Sequence, residues 1–187
     1  MTQYVPAVAP LSRADIELDA SRIIARYCPN LLAKPGHFPV LTLFEALEDD
    51  YRLDPGVDEL SDGVEGMTYP DGQVLLSEET YRGADAGDGR PRFTVLHECY
   101  HGIKHREQIR RALTDTGELV VYRRQTVKPF RDPEWQANAF ASAVLMPAPT
   151  VRLLARQENR LVLPYTMTTE FGVSLQAAEV RLKVLML

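Results

Sequence analysis

The stretch VLHECYH, from Val95 to His101, sets two histidines four residues apart with a glutamate directly after the first. On an α-helix positions i and i+4 differ by only about 40° around the axis, so a helix there points His97 and His101 from one face. Two imidazole nitrogens so placed reach a single ion at about 2.0–2.1 Å. Glu98 stands aside from that face, close enough to touch a water on such an ion without ligating the ion itself. This is the H-E-x-x-H arrangement of two ligands and a general base on one helical turn. With four histidines and 14 glutamates in 187 residues, random placement gives it about 0.6% of the time. The plain alternative is a helix with two satisfied core histidines. A catalytic zinc needs a third protein ligand and an open fourth position, so the metal reading requires a second segment folded back against this helix.

Glu134 is the candidate for that segment. It lies in RDPEWQANAFASAVLMP, the clearest helix signal in the chain, with Asp132 as cap, Pro133 at the first helical position and Pro147 closing it. Asn138, four residues on and on the same face, is placed to hydrogen-bond a ligating histidine from behind and fix its tautomer. Taken alone, Glu134 reads equally as a first-turn glutamate favoured by the helix dipole. His105 continues the histidine stripe, but on a straight helix it stands about 12 Å from His97. A supporting role behind the ligands suits it better than ligation.

The rest of the chain fits an α+β fold, mainly helical with a small sheet. PLSRADIELDASRIIARY predicts a helix capped by Ser12 with Asp15, burying Ile16, Ala20, Ile23, Ile24 and Tyr27. PVLTLFEALED predicts a second, shorter helix. Asp54 to Gly66 and RGADAGDGRP read as loops, and GELVVYRRQTVKPF as extended. Gln73–Ser77 (Gln73, Val74, Leu75, Leu76, Ser77) is the strand candidate just upstream of the histidine motif. We expect it to be either an edge against which an extended peptide lies antiparallel or a plain structural strand with Val74, Leu75 and Leu76 in the core. Cys28 and Cys99 imply no disulfide framework, and Cys99 reads as a small core filler. A net charge of -5 argues against a generic nucleic-acid coat or polybasic membrane binder. No basic-then-apolar leader and no long apolar run is present, so the expectation is a cytoplasmic protein without a membrane partner.

Three segments in order, RFTVLHECYHGIKH, EWQANAFASAVLMP and FGVSLQAAEVRLKVL, together resemble the ImmA/IrrE family of metallopeptidases. The family pattern is H-E-x-x-H, often with a further His, then E-x-x-A-N/D-x-F-A-x-x-L-L-M-P, then F-x-V-S-x-x-A-x-x-x-R-L. The likeness runs from about Arg92 to the C-terminus. Cys99-Tyr100 stands where Leu/Ile-Gly is usual, and Val144 where Leu is usual; neither change touches a ligand or the base. The resemblance implies a zincin-like core with His97, His101 and Glu134 on zinc (another divalent metal being possible) and Glu98 as general base. It also implies narrow endopeptidase activity on a protein substrate, often a helix-turn-helix (XRE-like) repressor. Tyr69, Tyr165 and His105 are conceivable oxyanion partners.

Residues 1–147 would form the peptidase domain and 148–187 a helical extension packed on it. TTEFGVSLQAAEVRLKVL within that extension is similar to a helix-turn-helix, with Ser174 capping the second helix. A rival reading is therefore a DNA-binding regulator that uses this segment in the major groove, with Arg181 and Lys183 as the basic groups of its recognition helix. A third is a catalytically silent binding module with a structural zinc.

Overall fold

Ser12 starts the first helix as its sequence predicts. Its hydroxyl accepts the Asp15 N–H at 3.2 Å and the Asp15 carboxylate accepts the Ser12 N–H at 2.9 Å, which satisfies two of the donors that a helix start leaves open. The computed structural model describes residues 4–116, 121–123 and 127–187, with side chains for 6–111 and 127–187. Helix α1 (Arg13–Tyr27) buries Ile16, Ala20, Ile23 and Ile24. The second predicted helix is split into α2 (Val40–Glu45) and α3 (Leu47–Tyr51).

A three-stranded sheet follows, built from β2 (Asp54–Asp58), β3 (Gly66–Thr68) and β4 (Gln73–Ser77). Its order is β2-β4-β3, with β2 parallel and β3 antiparallel to β4. Two sequence expectations change here. Asp54–Asp58, expected as loop from its Asp, Pro and Gly content, is a strand because pairing with β4 overrides its weak propensity. And β4 is not an edge. Its backbone is bonded on both sides and Val74 and Leu76 are fully buried, so Gln73, Val74, Leu75, Leu76 and Ser77 have no open ladder to offer a peptide. The edge on the antiparallel side is β3. A second pairing joins β1 (Tyr4–Pro6) to β5 (Val121–Arg123); the rest of the extended stretch expected around β5 lies partly outside the described residues.

Ser77 then caps α4 (Glu78–Asp85), its hydroxyl accepting the Thr80 N–H at 3.1 Å, so Arg82 to Asp85 are helical rather than loop. The histidine motif lies on α5 (Gly89–Tyr100), continues as one π-helical turn (His101–His105) and resumes as α6 (Arg106–Thr116). Helix α7 (Pro133–Leu145) begins at Asp132, whose carboxylate accepts the Glu134 N–H at 3.0 Å, with Pro133 first in the helix. Helices α8 (Ala148–Gln157), α9 (Leu163–Phe171) and α10 (Leu175–Leu185) complete the chain. The mainly helical α+β class is the one the sequence predicts.

Helix α7 packs against both α1 and α5. Small buried residues on α7, Ala137 and Ala141, allow close approach, and Phe140 stacks on Tyr100 of α5 with ring centroids 4.2 Å apart. One cluster of buried side chains runs from Ile16 in α1 to Leu185 in α10. Two buried arginines tie the last helices into it. Arg92 donates to the carbonyls of Phe171, Gly172 and Phe38, and Arg181 donates to the Met146 carbonyl at 2.9 Å and pairs with Glu17. Such donors are tolerable inside because each has an acceptor.

The π-helical turn approaches the sheet at Gly102. A Cβ there would sit 2.8 Å from Leu53 Cδ1 and 3.0 Å from Val74 Cγ2. Gly102→Val therefore overpacks the junction between the sheet and the histidine helix. We expect a loss of about 1–3 kcal/mol in urea denaturation, and a variant as stable as the parent would show that this junction yields freely.

Candidate metal centre

Helix α5 presents one face to the core through Val95, Leu96, Cys99 and Tyr100, all buried. His97 and His101 are left half-buried on the side facing α7, and Glu98 half-buried toward β3. Glu134 arrives from the first turn of α7. His97 Nε2 and His101 Nε2 lie 3.0 Å apart, His97 Nε2 is 3.3 Å from Glu134 Oε2, and His101 Nε2 is 3.3 Å from Glu134 Oε1. Among the described residues these three form the one His/Cys/Asp/Glu group close enough to hold an ion. Ligands on a tetrahedral shell with 2.0–2.1 Å bonds stand about 3.3 Å from each other, so the triangle fits a zinc-sized ion in both spacing and donor type. Nitrogen, nitrogen and carboxylate oxygen are borderline donors suited to zinc and neighbouring divalent metals.

The sides of the triangle are held from behind. His97 Nδ1 is 3.0 Å from Asn138 Oδ1, the contact expected from Asn138 lying one turn after Glu134. His105 is fully buried, with its Nδ1 3.1 Å from His101 Nδ1 and its Nε2 3.0 Å from Gln136 Oε1. The π turn matters here. His101 and His105 are its first and last residues, and their rings meet edge to face with centroids 5.0 Å apart. His105 thus stands behind His101 rather than in the triangle.

Glu98 is held by a residue with no motif signal of its own. Thr68 Oγ1 on β3 makes a bifurcated contact to Glu98 Oε2 at 2.9 Å and to the Glu98 carbonyl at 3.0 Å. One residue pair away on the same strand, a Cβ on Gly66 would stand 2.7 Å from Glu98 Cγ. Glycine at 66 is what lets the sheet edge come this close to the helix. Neither position carries a motif signal, since a threonine 30 residues upstream acquires meaning only when β3 pairs with β4. Gln136 was likewise silent, inside a helix read for Glu134 and Asn138.

Burial dominates the electrostatics. It pushes His101 down to about 3, helped by the charges of His97 and His105, and His105 down to about 4. Both rings are thereby kept neutral, the form that ligates. Burial also works against charge on His97, but the bond to Glu134 and the nearby Glu98 and Glu134 charges outweigh it and leave that ring raised. Glu98 lies above the usual carboxylate range, again through burial, with His97 and Thr68 pulling it partly back. The Cys99 thiol is fully buried and raised by desolvation, which suits a core filler and not a ligand.

A cleft of about 700 Å³ opens onto the triangle, lined by Gly63 to Gly66, Arg90, Phe93, Thr94, His97, Glu98, Glu134 and Asn138. Tyr69 and Tyr165 do not line it, and the His105 ring is enclosed, so none of the three oxyanion partners conceived from sequence stands at the cleft. On its wall Glu65 binds Arg90 at 2.6 Å and accepts the Thr94 hydroxyl at 2.9 Å.

Curated proteins offer no match. A solved structure described as a Mycobacterium tuberculosis transcriptional regulator superposes with a TM-score of 0.58 at 17% identity, covering 90% of this chain and 55% of that one. It therefore shares the fold, and this chain spans about half its length. The model of the IrrE N-terminal-like domain, Peptidase_M78, matches residues 83–183, a span that holds the histidine motif, Glu134, the first two segments singled out in the sequence and all but the last two residues of the third. The chain belongs to the IrrE N-terminal-like, Peptidase_M78 family.

Proposed function

We propose that this protein is a zinc-dependent endopeptidase of narrow specificity, with His97, His101 and Glu134 as metal ligands and Glu98 as general base. The observation that carries the reading is the His97–His101–Glu134 triangle opening onto a cleft beside a positioned carboxylate. A zinc ion there would acidify a water and polarise a peptide carbonyl. Thr68 occupies Glu98 Oε2, which leaves Oε1 to accept the proton of the attacking water and to pass it to the leaving amine. Asn138 orients the His97 ring. The burial of these groups strengthens every charge interaction among them.

The substrate class we assign is a protein segment in extended form, and the family resemblance points to a helix-turn-helix repressor. The β3 edge is where that segment would lie. Tyr69 N–H donates to the Gln73 carbonyl and Ser77 N–H to the Glu65 carbonyl, so residues 65, 67 and 69 face β4. By antiparallel alternation the N–H groups of Gly66 and Thr68 face outward, along the cleft. Residues 148–187 would act as a packed extension of the peptidase body. The DNA-binding alternative has less support. Arg181, half of the basic content of α10, is buried on Glu17, which leaves Lys183 as the one basic side chain on that helix's open face. No helix among the described residues is long and apolar enough to cross a membrane.

Three measurements test this. Metal analysis after dialysis should find about one zinc per chain in the parent and none held tightly in His97→Ala, His101→Ala or Glu134→Ala, because three ligands leave no redundancy. A full equivalent of zinc retained by Glu134→Ala would remove that residue from the ligand set. Glu98→Gln should keep zinc and fold while cleavage of a helix-turn-helix repressor that the parent cleaves falls by about 10²-fold or more. Comparable turnover by that variant would end the general-base assignment. With Glu98→Gln holding an intact substrate, amide hydrogen exchange should slow at Gly66 and Thr68, while Met67, already paired with β4, changes little. Unchanged exchange at both positions would mean that the peptide lies elsewhere.

A further inference from the structure

His105 and Gln136 are fully buried polar side chains in contact with the centre but outside the triangle, and their hydrogen bonds leave one arrangement of protons. Gln136 Nε2 has two hydrogens and two acceptors, the carbonyls of Ala9 at 3.0 Å and Phe130 at 2.9 Å. Its Oε1 must then be the atom facing His105, 3.0 Å from Nε2. An amide oxygen only accepts, so His105 Nε2 carries a hydrogen and donates it. A neutral His105 then has a bare Nδ1, which accepts from His101 Nδ1 across 3.1 Å. The His101 proton is thereby fixed on Nδ1, and its Nε2 lone pair faces the triangle. The reverse order would set two lone pairs against each other at Gln136 and put a hydrogen from His101 into the metal position.

We propose that His105 and Gln136 are positioning residues that hold the His101 proton on Nδ1 and so keep its Nε2 ready to bind metal. The proposal rests on the reading of His101 as a ligand. It also explains why a backbone-anchored amide, tied to the N-terminal segment at Ala9 and to Phe130, is enclosed two residues beyond Glu134. The amide is a fixed reference for proton direction, relayed through one imidazole to the next. Partners behind ligating histidines of this kind typically change metal affinity by about 10–100-fold.

Asparagine at 105 supplies the discriminating variant, because its Oδ1 occupies the same branch position as histidine Nδ1. His105→Asn keeps an acceptor for His101, His105→Leu removes it, and both give up the ring. Zinc affinity, read by competition with a chelator, should fall about 10–100-fold in His105→Leu and stay within about threefold of the parent in His105→Asn. Equal affinities in the two variants would overturn the proposal, since a purely space-filling His105 predicts that result. A second reading needs no substitution. Two-bond nitrogen–proton correlation spectra of the parent protein should show His105 protonated on Nε2 and His101 on Nδ1, with or without zinc. A His101 protonated on Nε2 would overturn it directly. Failure of the parent chain to bind zinc would instead sink the metalloenzyme reading while the two tautomers remained readable.

Discussion

Everything at the centre depends on how closely α7 lies against α5. The triangle has edges of 3.0–3.3 Å, yet its corners come from two helices 33 residues apart in sequence. A displacement of α7 by one ångström would be about a third of an edge and would turn a ligand set into three separate polar groups. The contact that prevents this is apolar. Ala137 and Ala141 let the backbones approach, and Phe140 stacked on Tyr100 fixes the distance. Close-packed interiors resist such displacement because their side chains interdigitate with few voids. Tyr100, where the family pattern has glycine, thus belongs to the packing and not to the chemistry, and its hydroxyl reaches out to Asp19 at 3.2 Å.

The polar groups are arranged in layers around that contact. His97 and Asn138 line the cleft, while His105 and Gln136 stand behind His101. Beyond those, backbone carbonyls at Ala9 and Phe130 hold the Gln136 amide. His105 and Gln136 are fully buried, and among the described side chains none of the buried polar atoms lacks a partner. In a low-dielectric interior an unpaired donor or acceptor is costly, so the network tolerates few alternative orientations. Rigidity at the metal position follows from that cost. Glu98, the proposed general base, is held differently, from the sheet side, by Thr68 across a gap that only glycine at 66 leaves open. Helix and sheet therefore position separate parts of the proposed centre, α7 the histidines and β3 Glu98.

The last three helices matter to the centre through the core. Arg92 on α5 is bonded to the α9–α10 turn and Arg181 on α10 to Glu17 on α1. The second link uses a residue that a helix-turn-helix reading would want at a surface. Arg181 has no freedom to reach a phosphate while it pairs with Glu17 and the Met146 carbonyl.

His97, Glu98, His101 and Glu134 were legible in the sequence because their chemistry repeats with helical spacing and their helix starts carry their own signals, Asp132 and Pro133 above all. Asn138 was legible for the same reason, one turn from Glu134. The sequence therefore determined which residues could meet and that the fold would be mainly helical with a small sheet. It could not determine strand order, because β2 has poor strand residues and is made a strand by its neighbour; that is why β4 looked like an edge and proved to be the middle. Nor could it reveal Thr68, Gly66 or Gln136, whose roles depend on distances set by non-local packing. Helical periodicity is a local property written into neighbouring residues. Sheet pairing and the direction of a buried proton are decided between segments, and only the tertiary structure brings those segments together.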